Sequence, residues 1–564
     1  MTASPSWLHR YGNKQHEWSD VSRTNDRTVF ERQLGLVEAS FDVDGVHYGG
    51  RADMTHYFEF EIRTSLDRKA LHERIALAWT VLRLHHVLLL SRAEDRKSAS
   101  GVQQRCFVVD VAKDAGQAVL DASQYLTVVP GDTAIDQHDF RKHALNTGRI
   151  IRPEKSLSRL FVLPITQLDS DRYKIPFMIV LAHMISDGLS LFHALGHFVD
   201  LMNKSSSELH DLLTSSLSSS IIKGRLPPAQ EDLYPPVAGN RARQRWFWAI
   251  IRILRHVRKP LPSGFTNPLR KDERTNFILE PKYASAFSYE PSQLPPMNSG
   301  SVTPSLSLAA SKRLVKLCRE AGTSIGAGVY ALVALTMSSM YEEQYPSLPL
   351  SSRKPFIASF PLNPRPFFGY TGPPDSCMLA FSDGIIMPSL PSSLPLEGRM
   401  RLLAKSAHRQ LKQYQKRKKP GLDSHSPLRM VATNYLSAVE RAEEKLPSQY
   451  RSGVNPQGAY PANVTFGAAT CGVSSVGLVK DVAPGKYDLD AVVLGGERDL
   501  AADFRVLMGG VRARDNEFLC GNSADGEGKL SYSVSYDASA MDEGKVVEWK
   551  RRMEEVLEVD EGRL

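Results

Sequence analysis

The amino-acid sequence predicts a mixed α/β (α+β) protein built from two lobes of similar size. The chain has 564 residues, which is more than one hydrophobic core usually organises. Strand-like and helix-like apolar patterns occur in both halves, and no internal repeat period emerges. We therefore expect an N-terminal lobe at residues 29–300 and a C-terminal lobe at residues 301–564, after a mobile polar segment at residues 1–28.

The first lobe opens with a strand and a long helix. "HYFEFEIRT" (56–64) alternates as a half-buried strand does, and "LDRKALHERIALAWTVLRLHHVLLL" follows it with apolar residues at helical spacing. The tripeptide "SLD" gives that helix a polar start. "QRCFVVDV" is the next strand. "SRLFVLPI" and "KIPFMIVLA" flank the polar turn "TQLDSDRY", so we expect them to pair as a hairpin.

Residues 204–300 are rich in Ser and Pro, and this composition predicts a connecting insertion in the first lobe. Inside it, "NRARQRWFWAIIRILRHVRK" (240–259) is predicted as a basic helix with several aromatic residues. Such a helix docks its Trp and Ile face on the protein's own core or lies at a membrane surface. The sequence favours the first reading and leaves the role of the helix open.

The second lobe begins with a helix pair in "SLAASKRLVKLCREAGTSIGAGVYALVALTMSSMY". Gly322 can end the first helix, and Thr323 or Ser324 can cap the second. "FIASFPLN" and "SSVGLV" are strand candidates, and "GRMRLLAKSAHRQLKQYQKRKK" is an amphipathic helix. "GKLSYSVSYD" alternates as a strand and precedes a final helix.

Composition narrows the function. A hydrophobic fraction of 42% and a net charge of +8 suit a globular protein with a small anionic ligand, and no motif supports nucleic-acid binding. The cysteines are odd in number, scattered and without a CxxC pair, so neither a disulfide framework nor a zinc site is expected. We find neither the apolar core of a signal peptide nor a run long enough for a transmembrane segment, which predicts a cytoplasmic protein.

A polar cluster, "HMISDG", stands between a buried strand and the helix "SLFHALGHFVDLMN". A neutral histidine at this point, His183, can accept a proton. Asp187 could brace the loop, and Gly188 would let the chain turn. Spacing and context alone leave a plain turn histidine equally open.

Competing catalytic patterns fit poorly. "GVSSVG" has one residue too many for a hydrolase elbow, and we find no Walker loop, Rossmann fingerprint or HExxH. His183 and Asp187 lack further clustered ligands, so no metal is predicted.

"HMISDG" matches the HxxxDG motif of the chloramphenicol acetyltransferase-like superfamily, which includes acyl-CoA-dependent acyltransferases and condensation domains. "GRADMTHYFEFEI" and "REAGTSIGAGVYALVALTM" resemble its first strand and the helix pair of its second lobe. "LPPAQEDLYPP" and "PSGFTNPL" resemble segments of fungal O-acetyltransferases of the trichothecene acetyltransferase type. The chain lacks the DFGWG motif of plant members, and Ala182 replaces the first of the two histidines usual in condensation domains.

The resemblance implies two chloramphenicol acetyltransferase-like lobes with a central tunnel, in which donor and acceptor meet at His183. His183 would be the general base, and Asp187 would form a salt bridge with an arginine, for which we name Arg365 in "FPLNPRP". Ser474 and Ser475 in "CGVSSVGLV" are the candidates for stabilising an oxyanion, with a plain buried strand as the alternative.

The expected function is transfer of an acyl group, acetyl by preference, from coenzyme A to a hydroxyl of a secondary metabolite. Acyl-CoA would be a co-substrate, and no bound cofactor is expected. Two alternatives stay open: a condensation-like enzyme with a carrier-protein-bound donor that forms an ester or amide, and a non-catalytic metabolite-binding module. The expected partners are therefore a small alcohol, acyl-CoA and, in the first alternative, a carrier protein.

Overall fold

The computed structural model describes residues 11, 14–21, 28–97, 103–131, 135–257, 261–290, 297–359, 361–381, 384–414, 426–451, 469–495 and 498–558. Helices and strands are mixed throughout, so the predicted α/β class is confirmed. The strands are β1 (Ser19–Asp20), β2 (Val29–Gln33), β3 (Met54–Thr64), β4 (Arg92–Lys97), β5 (Gln103–Asp110), β6 (Leu126–Val128), β7 (Ser158–Val162), β8 (Thr166–Gln167), β9 (Arg172–Leu181), β10 (Ser299–Val302), β11 (Phe356–Ser359), β12 (Pro361–Leu362), β13 (Ala380–Phe381), β14 (Ile385–Met387), β15 (Cys471–Leu478), β16 (Leu500–Met508), β17 (Phe518–Ala524) and β18 (Leu530–Asp537). The helices are α1 (Leu36–His47), α2 (Arg68–His85), α3 (Ala115–Ser123), α4 (Gln137–Asn146), α5 (Gly188–Met202), α6 (Ser206–Ser216), α7 (Ser219–Arg225), α8 (Arg241–His256), α9 (Leu308–Glu320), α10 (Ile325–Gln344), α11 (Arg365–Phe368), α12 (Leu396–Tyr414), α13 (Ser426–Lys445) and α14 (Glu543–Glu555).

The first large sheet has the strand order β16-β3-β9-β7-β6, with β8 paired to β9. The predicted pairing of 158–162 with 172–181 is present as the antiparallel pair β7 and β9. The centre of this sheet is an aromatic cluster in which Phe58 stacks on Phe177 at 5.0 Å and Phe60 lies 5.3 Å from Phe504, measured between ring centroids. Alternate apolar residues of β3 thus give the lobe its core, as a half-buried strand does.

The second large sheet has the order β10-β18-β17-β15-β11-β14. Helix α10 is buried against it, and Ser324 caps this helix by accepting a hydrogen bond from Ala327 N. Gly322 has φ +65°, the left-handed conformation that ends a helix without a steric penalty. In the described part of the chain no single helix is long and apolar enough to cross a membrane; α9 and α10 pass that test only as a pair, bent by 112°.

Strand β16 departs from the division expected at residue 300. It belongs to the C-terminal part of the sequence but pairs antiparallel with β3 of the first sheet, from Leu500 opposite Thr64 to Met508 opposite Tyr57. Its residues Leu500, Ala502 and Phe504 are buried in the first lobe's core. This burial and the hydrogen bonds to β3 explain why the chain returns. The segment between β16 and β17 therefore passes from one sheet to the other.

The region predicted as a connecting insertion contains two helices that its Ser-rich composition concealed. Ser205 caps α6 by accepting from Glu208 N, and Leu209 and Leu213, one turn apart on α6, are buried together with Ile222 of α7. Serine disfavours a helix interior only weakly, so these three apolar contacts are enough to decide the local structure.

Helix α8 confirms the predicted basic helix and packs one face on the protein. Trp248 and Ile251 are buried in a small cluster with Tyr11 and Tyr435. The opposite face is open, because Trp246 is 66% and Val257 65% exposed. The core-docked face was therefore predicted, whereas the exposed apolar face was not.

The first 28 residues were expected to be mobile. Most of them lie outside the described residues. Among those described, Tyr11 is buried beside Trp248, with ring centroids 4.8 Å apart. Trp18 donates a hydrogen bond from Nε1 to Pro227 O at 2.7 Å. These two aromatic contacts anchor parts of the segment on the fold.

Candidate active site

A cavity of about 600 Å³ lies between the two large sheets. Strands β3 and β16 and helices α1 and α5 contribute to one side, and β15, β17 and β18 contribute to the other. Its apolar lining residues include Phe41, Met54, Phe192, Leu379, Phe381, Val476, Val479 and Val482. The cavity is thus at the place where the predicted central tunnel was expected, and it is largely apolar.

His183 lines this cavity and follows the last residues of β9. Residues 183–185 form a short 3₁₀ turn between that strand and α5. The imidazole stacks on Phe41, with ring centroids 4.0 Å apart and an interplanar angle of 2°. Cys377 Sγ lies 3.9 Å from Nδ1. Among the described residues no other side chain has a polar atom within hydrogen-bond distance of the ring, so Nε2 is the nitrogen left for a substrate.

The surroundings of His183 keep its imidazole neutral. Burial lowers the pKa of His183 below its ordinary value of 6.5, because the cationic form loses its hydration. Asp187 and Asp44 act in the opposite direction, and Lys445 adds to the lowering. The net direction is downward. At neutral pH the ring is therefore a proton acceptor.

Asp187 braces the turn and does not touch the imidazole. Its Oδ1 accepts hydrogen bonds from Leu189 N and Ser190 N, both at 3.0 Å, and so caps α5. Its Oδ2 accepts from Arg365 Nη2 at 2.7 Å and from Met378 N at 3.0 Å. The structure thus brings together the two residues named as a salt bridge, and the pair joins the start of α5 to the start of α11, while Met378 N ties in the segment that follows α11.

Gly188 was expected to let the chain turn without a side-chain clash. It is the first residue of α5 and is not among the positive-φ glycines, so it does not provide a special turn conformation. Instead it allows a close approach, since a Cβ atom here would lie 3.3 Å from Val476 Cγ2. A β-bulge displaces Val476 between Ser475 and Gly477. The glycine therefore matters for packing between α5 and β15.

The two serine candidates differ in position. Ser474 lines the cavity, opposite Gly521 of β17. Ser475 is exposed, and its hydroxyl donates to Asn522 Oδ1 at 3.3 Å. Only Ser474 lies where a substrate oxygen could meet it.

Comparisons with known proteins show that the chain is similar to several solved structures. No protein-family model and no curated protein sequence matches this chain. The solved structure of TRI3 trichothecene 15-O-acetyltransferase from Fusarium sporotrichioides superposes with a TM-score of 0.64 at 11% identity, covering 96% of both chains. The first condensation domain of the calcium-dependent antibiotic synthetase gives a TM-score of 0.50 at 11% identity, covering 96% of this chain and 98% of that one.

The chain shares its fold with these two solved structures. At 11% identity the likeness to the fungal acetyltransferase is one of fold alone. The similarity of fold identifies neither a donor nor an acceptor for this chain.

The cationic side chains that line the cavity already have partners. Arg51 pairs with Glu517, and Lys445 pairs with Asp44 at 2.6 Å. Arg505 pairs with Glu61 at 2.8 Å. Arg512 donates to backbone carbonyls, among them Ala144 O at 2.9 Å. A phosphorylated donor would have to compete with these contacts for positive charge.

Sequence reasoning missed His56 and Cys377, which also lie near the centre of the site. His56 lines the cavity, and burial, with Arg141 and His183 nearby, lowers its pKa to about 3. Cys377 is buried against His183, and burial raises the pKa of its thiol well above the usual 9.0, so it stays a thiol. His56 lies in strand β3 and Cys377 in the loop before β13, and neither belongs to a recognisable sequence motif.

Proposed function

We propose that this protein is an acyltransferase in which His183 takes the proton of an acceptor hydroxyl at Nε2. The observation that carries the proposal is the neutral, stacked imidazole at the cavity, with Nδ1 beside Cys377 and no side-chain hydrogen bond to Nε2 among the described residues. A positioned base of this kind supplies about 10²–10⁴-fold in rate. The fold shared with an enzyme named as an acetyltransferase supports the same class of reaction.

The proposed reaction transfers one proton and one acyl group. As Nε2 of His183 accepts the hydroxyl proton, the acceptor oxygen forms a bond to the thioester carbonyl carbon. The tetrahedral intermediate carries a negative oxygen, which the hydroxyl of Ser474 would stabilise by donating a hydrogen bond. Collapse breaks the carbon–sulfur bond, and the leaving thiolate takes the proton from the imidazolium.

The acceptor proposed here is a hydroxyl on a largely apolar small molecule, such as a secondary metabolite. Phe41, Phe192 and Phe381 line the cavity beside aliphatic side chains, and its volume of about 600 Å³ is in the range of sites for small organic ligands. Burial of apolar surface would supply the binding energy, at about 25 cal/mol per Å². His183 would then select the hydroxyl that comes within hydrogen-bond distance of Nε2.

The donor we propose is acetyl-CoA, with a carrier-bound thioester as the second candidate. One observation favours the second: the cations that line the cavity are engaged with carboxylates or carbonyls, and coenzyme A brings phosphates that need such charges. A carrier protein would hold the phosphate of its phosphopantetheine arm outside the cavity. The two donors share the thioester and differ in the nucleotide.

The experiment compares thiol release from acetyl-CoA and from the acetyl thioester of N-acetylcysteamine, which lacks the nucleotide, over a panel of apolar alcohols. A lower KM for acetyl-CoA, with a saturable rise in melting temperature on adding coenzyme A, would support the coenzyme donor. Equal KM values without a melting shift would move the assignment to a carrier-bound donor. Alcohol-independent thiol release, or none from either thioester, would contradict the acyltransferase proposal.

A further inference from the structure

Four histidines and one aspartate gather away from the cavity, where the end of α2 and one face of α5 meet the segment after α11. His86 follows α2, and His193 and His197 lie one turn apart on α5. His85 joins them, with its ring centroid 4.9 Å from that of His197. Asp375 lies in the segment between α11 and β13, in the C-terminal half of the sequence. We call these five residues the histidine cluster.

Two imidazoles of the cluster converge on one carboxylate oxygen. Nδ1 of His86 and Nδ1 of His193 each lie 2.9 Å from Asp375 Oδ1. These three atoms lie within 4.8 Å of one another. One oxygen shared by two ring nitrogens requires either a proton on each nitrogen or a cation among the three atoms. Imidazole nitrogens with a carboxylate oxygen are a ligand set that zinc and related metals prefer.

The second nitrogen of His86 also has a partner. Nε2 lies 3.1 Å from His197 Nδ1. A metal-bound histidine usually donates its other N–H to such a neighbour, which fixes the tautomer and the orientation of the ring. If His86 donates from Nε2, its Nδ1 presents a lone pair to the Asp375 carboxylate. Two lone pairs at 2.9 Å repel unless a cation lies between them.

We propose that His86, His193 and Asp375 bind one divalent transition-metal ion, with Zn²⁺ the best match, and that His197 orients His86. Three protein ligands leave a fourth tetrahedral position for solvent. Zinc–nitrogen and zinc–oxygen distances of about 2.0–2.2 Å in a tetrahedral site place neighbouring ligand atoms about 3.3–3.6 Å apart, so each imidazole nitrogen would move away from Asp375 Oδ1 by about half an ångström. The side chain of His193 is 37% exposed, which gives an ion a route from solvent. The sequence predicted no metal, because the cysteines are scattered and because His183 and Asp187 lack further clustered ligands; the proposed site differs from that expectation and is separate from that pair.

A metal here would position the segment that supports the candidate active site. Asp375 is followed by Ser376, whose carbonyl accepts from Arg365 at 2.6 Å, and by Cys377, which contacts His183. Met378 N donates to Asp187. The metal would therefore act through these neighbours and take no part in the reaction itself.

The test measures metal binding directly. Full-length protein is treated with EDTA, dialysed, and titrated with ZnCl₂ by calorimetry, and with CoCl₂ while visible absorption is recorded. The variants His193→Ala and Asp375→Asn remove single ligands. His210→Ala is the matched control, because His210 is an exposed histidine on α6 outside the histidine cluster. Circular dichroism checks that each variant is folded.

We expect one equivalent of zinc to bind the wild type, and Co²⁺ to give visible bands of a tetrahedral site with nitrogen and oxygen ligands. Affinity should fall by at least about 10–100-fold in His193→Ala and Asp375→Asn and stay unchanged in His210→Ala. Failure of the wild type to bind a stoichiometric ion would overturn the proposal. The proposal would also be overturned if His193→Ala and Asp375→Asn bound zinc as tightly as the wild type, or if the melting temperature of the wild type responded to pH and not to zinc.

Discussion

Asp187 and Arg365 form a buried ion pair, with 2.7 Å between Oδ2 and Nη2, and their side chains are 3% and 7% exposed. They are 178 residues apart in the sequence. The same carboxylate caps α5 through its other oxygen. One side chain therefore caps α5 and connects the start of that helix to the start of α11.

Removing the carboxylate should be costly for stability. Asp187→Ala leaves Arg365 as a buried charge without its partner, which typically destabilises by about 3–5 kcal/mol, and it also removes a helix cap worth about 1 kcal/mol. We expect the double variant Asp187→Ala/Arg365→Met to be more stable than Asp187→Ala alone, because no unpaired charge remains. Urea denaturation measures both. A loss below about 1 kcal/mol in Asp187→Ala would mean that the pair does not brace the site.

The two neighbouring serines offer a matched comparison. Ser474 lines the cavity, whereas the Ser475 hydroxyl is bonded to Asn522. If Ser474 donates to the oxyanion, Ser474→Ala should lower kcat by about 10²–10³-fold at unchanged melting temperature. Ser475→Ala should keep the wild-type kcat. Equal kcat values in both variants would show that the donor lies elsewhere, for example at a backbone N–H of β15 or β17.

The contact between Gly188 and Val476 predicts a rescue experiment. In Gly188→Ala the new methyl group would lie 3.3 Å from Val476 Cγ2, closer than most Cβ contacts, so α5 and β15 must move apart. We expect a lower kcat, since this movement shifts the turn that holds His183 relative to β15. The second substitution Val476→Ala should restore much of the rate. Full activity in Gly188→Ala alone would show that the contact with Val476 does not constrain the site.

The lowered pKa of His183 sets the pH dependence of the reaction. Only the neutral ring accepts a proton, so kcat/KM should fall as pH decreases through the pKa of the free enzyme. Burial places this pKa below 6.5, and the acid limb should therefore lie below pH 6.5, with a flat profile at pH 7–8. A pH series of initial rates measures it. An acid limb centred above pH 7 would contradict the proposed environment of the ring.

Local patterns predicted much of the fold. The alternation in β3, the polar start of α2 at Asp67 and the Gly322–Ser324 break between α9 and α10 all depend on neighbours in the sequence, so they could be recognised. The pairing of β16 with β3 could not, because its 436-residue separation at Leu500 and Thr64 leaves no local signal. In α6 and α7 a Ser-rich composition outweighed three buried apolar residues.

The candidate site was likewise predicted only in part from the sequence. The "HMISDG" stretch identified His183 and Asp187, and resemblance to a known family suggested Arg365 as the partner. The turn role expected of Gly188 stays a prediction, and its close packing against Val476 was not foreseen, because a sequence does not show a neighbour from another strand. The histidine cluster was missed since His86, His193 and Asp375 come from three distant segments.

The central claim is that Nε2 of His183 takes the acceptor's proton, and turnover of His183→Ala tests it most directly. Once a thioester and an alcohol that react are known, kcat is measured for the wild type, His183→Ala and the control His210→Ala, together with melting temperatures. The account predicts a loss of about 10²–10⁴-fold in His183→Ala, with a melting temperature close to the wild type and no loss in His210→Ala. A His183→Ala variant that folds and keeps the wild-type kcat would contradict it.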